Sequence, residues 1–333
     1  MTAVLFTCAG RRVDIVTAFG RAGATTIATD ANPTAPALYH ADHHVLVPRV
    51  DDPTYIPALR ELVVEHDVRL AVPLTDLDQL LLARSRAELG CEVLLPDPDV
   101  VARVGDKYLA HVFFEERGIA SPSTWLPGEV PDDARFPVLV KARYGFGSQH
   151  IYRAEDPAQL DFFLGYTPVQ SMVQACCRGE EFSIDVFCDF GGRCLNAIPR
   201  TMIESRGGES IKGKTSKDWD LIEYGRDVAE ALSLKGPATI QCFREGDGRH
   251  EVTDVNPRFG GAFPLPLAAG SRYPELAIEL ANGERPEPRV GEFKEGVLMT
   301  RFYSHLCLTA EGDGTLEPFA EEVPEPIASE PGE

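Results

Sequence analysis

Short apolar runs alternate with longer amphipathic stretches through the first hundred residues. AVLFT (3–7), TTIATD (25–30), HHVLVP (43–48), RLAVPL (69–74) and CEVLLP (91–96) have the length and the bounding signals of strands. Between them, RRVDIVTAFGRAG, DPTYIPALRELVVEHD and DLDQLLLARSRAELG read as helices. The first ends in glycine; the second opens with Asp52 as its cap and Pro53 in its first turn. This alternation predicts an open parallel sheet with helices on both faces.

From DPDVVARVGDKYLAHVFFEERGI onward the pattern changes. Two helices lead into FPVLVKARYGFGSQHIYRA, which reads as a strand, a glycine-rich loop and a second strand. The helix DPAQLDFFLG and the strands VQSMVQA and EFSIDVFCDF follow, and Gly191-Gly192 turns the chain into RCLNAIPR. Residues 201–217 read as a long polar loop before the helix DLIEYGRDVAEALSL. The expected class is therefore α/β followed by α+β with antiparallel strands. No internal repeat is present.

The last two runs, GPATIQCF and HEVTDVN, flank Asp247-Gly248, a strong signal for a two-residue type I′ turn. That turn places Gln241 opposite Asp254, on one sheet face, with Asn256 two residues further along the same face. Arg258 follows immediately. Carboxylate and amide oxygens without His or Cys are the ligands Mg²⁺ prefers, and a guanidinium suits phosphate. A solvated hairpin face reads equally well from the hairpin alone.

Composition narrows the field. A hydrophobic content of 44% and a charged content of 25% describe an ordinary soluble protein, and no apolar run reaches the roughly 18 residues of a membrane span. At the N-terminus the apolar run precedes the arginines, the reverse of a secretory leader. Eight scattered cysteines without C-x-x-C argue for a reduced, cytoplasmic setting and against zinc. The net charge of −20, with no polybasic segment, argues against nucleic acid and membrane partners. Residues 311–333 contain no Lys or Arg and are rich in Glu and Pro, so an acidic disordered tail is expected from 309 to 333.

Lys141 ends the apolar strand FPVLVK beside YGFGS, where an ammonium and backbone N–H groups can meet phosphates, although a hairpin turn with a surface lysine is the simpler reading. Lys107 sits in the first turn of a helix, where the dipole disfavours a cation. VQACCRGEEFSIDV joins two strands through a polar turn, and its Glu181 can accept from ribose hydroxyls. RTMIESRGGESIKGKTSKD carries Arg200, Arg206, Lys212 and Lys214 on a glycine-rich backbone. It reads as a solvated connection or as a cationic lid.

In order, GDKY, PVLVKARYGFGS, VQACCRGEEFSIDVF, GPATIQCF and VTDVNPRFGGAFPLPLAAG resemble an ATP-grasp ligase of the carbamoyl-phosphate-synthase-like, carboxylate–amine branch. TCAGRR and ATDANPTAPALYHADHHVLVPRVDDPTYI resemble that branch's leading domain, so the likeness runs from residue 1 to about 305. The resemblance implies a leading α/β domain (1–98), a helical linker and lid (99–175) and a central metal and nucleotide domain (176–308). It implies that Lys107 and Lys141 bind the phosphates of ATP, with Gly145, Gly147 and Ser148 folding over them. Gln174, Ala175, Cys176 and Cys177 would form the adenine hinge, and Glu181 would hold the ribose. Gln241, Asp254 and Asn256 would hold one or two Mg²⁺ (or Mn²⁺) ions, and Arg258 would stabilise the transferring phosphoryl. Asp254 stands where the family commonly has the longer Glu, which bears on the number of metals.

The expected reaction joins a small-molecule carboxylate and an amine through an acyl phosphate, releasing ADP and phosphate, with Arg206 and Lys214 as substrate-side candidates. A homodimer is compatible with the resemblance. Two other classes are compatible with parts of the sequence. A nucleotide-binding sensor would keep the fold without turnover. A nicotinamide dehydrogenase would use Gly10 and Asp30, but TCAGRRVDIV is not G-x-G-x-x-G.

Overall fold

Each strand of the first sheet is followed by a crossover, and pairing is parallel throughout. The computed structural model describes residues 1–145, 150–206, 209–302, 304–310 and 315–319, without the side chains of residues 206 and 209. The leading segment runs β1 (Ala3–Thr7), α1 (Val13–Arg21), β2 (Thr25–Asp30), β3 (His43–Leu46), α2 (Tyr55–Glu65), β4 (Val68–Pro73), α3 (Gln79–Arg84), α4 (Arg86–Leu89) and β5 (Glu92–Val93). The strand order is β3-β2-β1-β4-β5, and β1 is buried along its whole length. Two local expectations change. Thr54, not Asp52, precedes α2; the Asp52 carboxylate instead accepts from the N–H and hydroxyl of Thr54 in the preceding turn. The expected helix over 76–90 breaks at Ser85 into α3 and α4.

Helices α5 (Pro98–Gly105) and α6 (Lys107–Glu116) lead to a second sheet. It is built from β6 (Thr124–Trp125), β7 (Val138–Ala142), β8 (Ile151–Ala154) and β9 (Ser171–Ala175), with α7 (Pro157–Tyr166) between the last two. Its order is β6-β9-β7-β8, and Val138, Val140, Ala154, Leu160 and Val173 form its small core.

The third sheet holds β10 (Glu180–Cys188), β11 (Cys194–Arg206), β12 (Glu209–Thr215), β13 (Gly236–Arg244), β14 (His250–Asn256) and β15 (Leu298–Thr300), in the order β14-β13-β10-β11-β12-β15. Helix α8 (Trp219–Ala231) covers one face through Leu221, Ile222, Val228 and Ala229. At Gly225 it lies so close that an added Cβ would stand 2.5 Å from a methyl of Ile184. Helices α9 (Pro264–Ala268) and α10 (Tyr273–Ala281) follow β14. The expected loop over 201–217 is a correction: most of it is the β11–β12 hairpin, paired from Arg200↔Thr215 to Arg206↔Glu209. Ladder pairing on both sides of β11 satisfies a backbone whose polar side chains had suggested a connection. Of the expected tail, β16 (Leu308–Ala310) and β17 (Leu316–Pro318) pair antiparallel, and residues 320–333 lie outside the described set.

The closing turn is one residue longer than expected. Gly248 N–H donates to the Glu245 carbonyl at 2.9 Å and Glu245 N–H to the Arg249 carbonyl at 2.8 Å, with Gly248 at φ +86°. This is a three-residue loop of Gly246, Asp247 and Gly248. A bulge at Thr253 takes up the extra residue, so Gln241 still pairs with Asp254.

Gly179 enters β10 against that hairpin, and a Cβ there would stand 1.8 Å from the Arg244 carbonyl oxygen. Backbone cannot yield as a side-chain tip can. Gly179→Ala should therefore lower stability by about 1–3 kcal/mol or more in urea unfolding; an unchanged midpoint would show that the two segments are not packed this way.

Candidate active site

Register across four strands sets one wall of a cavity. Ser183 on β10 pairs with Arg200 on β11 and with Gln241 on β13, and Gln241 pairs with Asp254 on β14. In the next row on the same face, Asp185 pairs with Thr239 and Thr239 with Asn256. The opposite face of β10, with Phe182, Ile184 and Val186, goes into the core. The wall thus presents Glu181, Gln241, Asp254 and Asn256 to a cavity of about 220 Å³, which Lys107 and Lys141 close from the other side.

Lys107 opens α6 directly after Asp106, whose carboxylate caps the helix by accepting from the N–H groups of Tyr108 and Leu109. A cation in a first turn opposes the dipole. Here it is compensated: Lys107 Nζ lies 3.4 Å from Asp254 Oδ1 and donates to the Gly145 carbonyl at 3.0 Å. The same Asp106 clamps the exit of β7, accepting from Arg143 Nε at 2.7 Å and Nη2 at 2.6 Å and from the Tyr144 hydroxyl at 2.8 Å. Burial pushes the Asp106 pKa up, but the bonds from Arg143, Tyr144 and Leu109 outweigh it and hold the carboxyl below its ordinary 3.8.

Lys141 is 7% exposed and donates to Gln174 Oε1 at 3.2 Å, and Gln174 Nε2 donates to Thr124 Oγ1 at 3.0 Å. Burial lowers the Lys141 pKa, Asp254 opposes that shift, and Lys107 adds to it. The Gln174 side chain therefore positions Lys141. The N–H of Ala175 is bonded to the Ser123 carbonyl. Cys177 Sγ faces Glu251 at 3.9 Å, with its thiol pushed up to about 12, chiefly by burial. The cavity wall reaches Glu181 but not residues 174–177. Burial raises the Glu181 carboxyl pKa, and Arg200 opposes the rise.

Gln241, Asp254 and Asn256 form a donor set of carboxylate and amide oxygens, suited to a hard divalent cation. The Lys107 ammonium beside Asp254 stands where a cation is favoured. Asn256 Oδ1 accepts from Arg258 Nη2 at 3.3 Å, and Arg258 Nε lies 3.4 Å from Asp76. Of the remaining expected residues, Gly145 lines the cavity at φ +123°. Gly147 and Ser148 lie outside the described residues, as does the side chain of Arg206 at the end of β11. Lys214 is a correction: it is exposed on β12, opposite Thr201, and does not line the cavity, whereas its neighbours Gly213 and Thr215 are buried.

Sequence reasoning missed Ser183, Asp185 and Thr239 on the floor of the cavity and gave Arg200 only as part of a cationic lid. Arg200 Nε donates to Asp185 Oδ2 at 2.7 Å, and the Thr239 hydroxyl donates to Asp185 Oδ1 at 2.8 Å. A Cβ at Gly260 would stand 2.4 Å from Thr239 Oγ1, so only glycine fits beside this group. The alternation Glu181, Ser183, Asp185 between apolar neighbours was the available signal. The turn after β1 is no dinucleotide cradle. Asp30 accepts from the N–H of Gly10, and Arg12 donates to the carbonyls of Phe259 and Gly260, which joins the leading segment to the site.

Residues 4–94 match the family described as "PylC-like, N-terminal domain", and residues 167–303 the family "ATP-grasp in the biosynthetic pathway with Ter operon". The carbamoyl phosphate synthase large chain of Agathobacter rectalis is 26% identical over 245 residues, 67% of this chain and 22% of that protein; the chain thus spans about a fifth of the length of that curated relative. Among solved structures, the biotin carboxylase from Campylobacter jejuni superposes with a TM-score of 0.72 at 15% identity, covering 89% of this chain and 74% of that one. The L-amino acid ligase from Bacillus licheniformis gives 0.69 at 16%, covering 89% and 78%. The fold and the family matches together define an ATP-grasp protein. Residues 167–303 thus carry an ATP-grasp family match, and the likeness of the chain in sequence is to the carbamoyl-phosphate-synthase-like branch of the ATP-grasp ligases.

The Asp106 clamp makes a pH prediction. A carboxyl held low when folded contributes stability that is present above its unfolded value near 3.8 and lost as pH falls through the lower folded value. Asp106→Asn, which retains a cap, should cost about 1.5–3 kcal/mol at pH 7. The gap from the native chain should close on acidification below pH 3.8 in denaturant titrations; a gap independent of pH would contradict it.

Proposed function

We propose that the chain is an ATP-dependent carboxylate–amine ligase. A carboxylate oxygen of the first substrate attacks the γ-phosphorus of ATP, the bond to the bridging oxygen breaks, and ADP leaves. The amine nitrogen then attacks the acyl carbon, the C–O bond to phosphate breaks, the departing phosphate or solvent takes the proton released by the amine, and a C–N bond remains. The observation that carries this reading is the convergence of two lysines and three oxygen-donor side chains on one cavity.

In this reading Lys107 and Lys141 meet the phosphate oxygens, whose charge offsets the burial that disfavours the Lys141 ammonium. Lys107 exchanges Asp254 for phosphate, which leaves the carboxylate to a metal ion. Magnesium held by Gln241, Asp254 and Asn256 would neutralise charge on the transferring phosphoryl group. Arg258, beside Asn256, adds positive charge at the same place, while Glu181 accepts from the ribose and the 174–177 segment borders the base. Catalysis is then positioning and charge neutralisation rather than covalent chemistry. The acid and the amine are small molecules.

The test is ADP release with Mg-ATP across paired carboxylates and amines. Release should require both co-substrates, and Asp254→Ala and Lys141→Ala should each lower it by a factor on the order of 10²–10³ or more. Release that ignores both co-substrates, or near-normal turnover in both variants, would overturn the proposal.

A further inference from the structure

The floor of the cavity holds three buried polar side chains that each present an atom with nothing to bond among the described residues. Arg200 is 3% exposed, Ser183 1% and Ser210 6%, and all three line the cavity. Among the described residues, Arg200 Nη1, Ser183 Oγ and Ser210 Oγ have no hydrogen-bond partner. Buried donors are ordinarily satisfied, so three orphans on one wall mark a place where a ligand supplies the acceptors. Arg200 cannot turn away to find a partner inside the protein. Its Nε is fixed to Asp185 at 2.7 Å, Asp185 is fixed by Thr239, and the Tyr273 hydroxyl holds the Asp185 carbonyl at 2.8 Å.

We propose that Arg200, Ser183 and Ser210 seat the carboxylate of the acid substrate. This rests on the ligase reading and adds to it the residues that recognise the acid. Three arguments select a carboxylate. A guanidinium edge and two hydroxyls are all donors toward an acceptor-only group with two oxygens. Arg200 is already neutralised by Asp185 at 2.7 Å, so the seat carries little net positive charge and suits a monoanionic carboxylate better than a dianionic phosphate, which the paired ammonium groups of Lys107 and Lys141 at the other end suit better. Register supplies the third. Arg200 and Ser183 lie in the same cross-strand row as Gln241 and Asp254, at a strand spacing of about 4.8 Å, so the seat adjoins the metal wall without overlapping it. A carboxylic amide would place an N–H₂ against these donors and be rejected.

The experiment measures binding without turnover. The chain is loaded with Mg²⁺ and a non-hydrolysable ATP analogue and titrated calorimetrically with acetate, succinate, glutarate and L-glutamate, and with the matching amides. At least one acid should bind and its amide should not. Ser183→Ala and Ser210→Ala should each weaken that acid by about 3- to 10-fold, and Arg200→Lys by about 10- to 100-fold, with affinity for the nucleotide analogue unchanged. The serine variants delete hydroxyls that no described group uses, so they fold normally even if Arg200→Lys does not. Acid binding equal to the native chain in both serine variants, a parallel loss of nucleotide affinity, or no acid bound by the native chain would overturn the assignment. Selective loss of acid binding in a protein that never releases ADP would keep the seat and discard the ligase reading. Ligation that is indifferent to all three substitutions would do the reverse.

Discussion

The register of the ladder through β11, β10, β13 and β14 is the constraint on which the site depends. Four strands bring Arg200, Ser183, Gln241 and Asp254 into one row. A one-residue slip at any of the three pairings would send that strand's polar side chains toward α8 and its apolar ones into the cavity. Burial of Phe182, Ile184 and Val186 beneath α8 opposes such a slip along β10. At the β13–β14 pairing the bulge at Thr253 does the same work locally. Without it, the three-residue turn would set Thr253 opposite Gln241.

The facing wall is built from a different kind of interaction. One carboxylate, Asp106, caps α6 and binds Arg143 and Tyr144, so the lysine that follows it and residues 143–144 just after β7 are fixed together. Lys141 is held separately through Gln174 and Thr124. The leading segment is joined to this assembly by Arg12 and by edge-to-face contacts running from Phe6 through Phe19 to Phe259 and Phe263. Fixed donors of both signs around a small cavity suit phosphoryl transfer, where preorganised charge supplies most of the catalysis.

Much of this was legible in the residues. The parallel sheet followed from its alternating runs, and the Gln241–Asp254 pair from an Asp-Gly turn flanked by alternation. That pair is right for an incomplete reason: the turn is a residue longer than its dipeptide implies, and the bulge compensates. Neither feature has a composition that distinguishes it from a regular ladder. Ser210 was hidden, and Arg200 read only as part of a cationic lid, because a glycine-rich, charged stretch reads as a loop by local rules. In fact its backbone is satisfied by β10 on one side, by the pairing of β11 with β12, and by β15 from the far end of the chain. Lys214 was misplaced for the same reason, since only a known register says which of two neighbours faces inward.

Anomalous diffraction from crystals grown with Mn²⁺ and ADP tests the central claim most directly. The account predicts a manganese peak at about 2.1–2.2 Å from side-chain oxygens of the Gln241, Asp254 and Asn256 wall, with Lys107 moved off Asp254. A peak at the Cys177, Glu245 and Glu251 cluster instead, whose ligand atoms lie within 4.8 Å of one another, would contradict it.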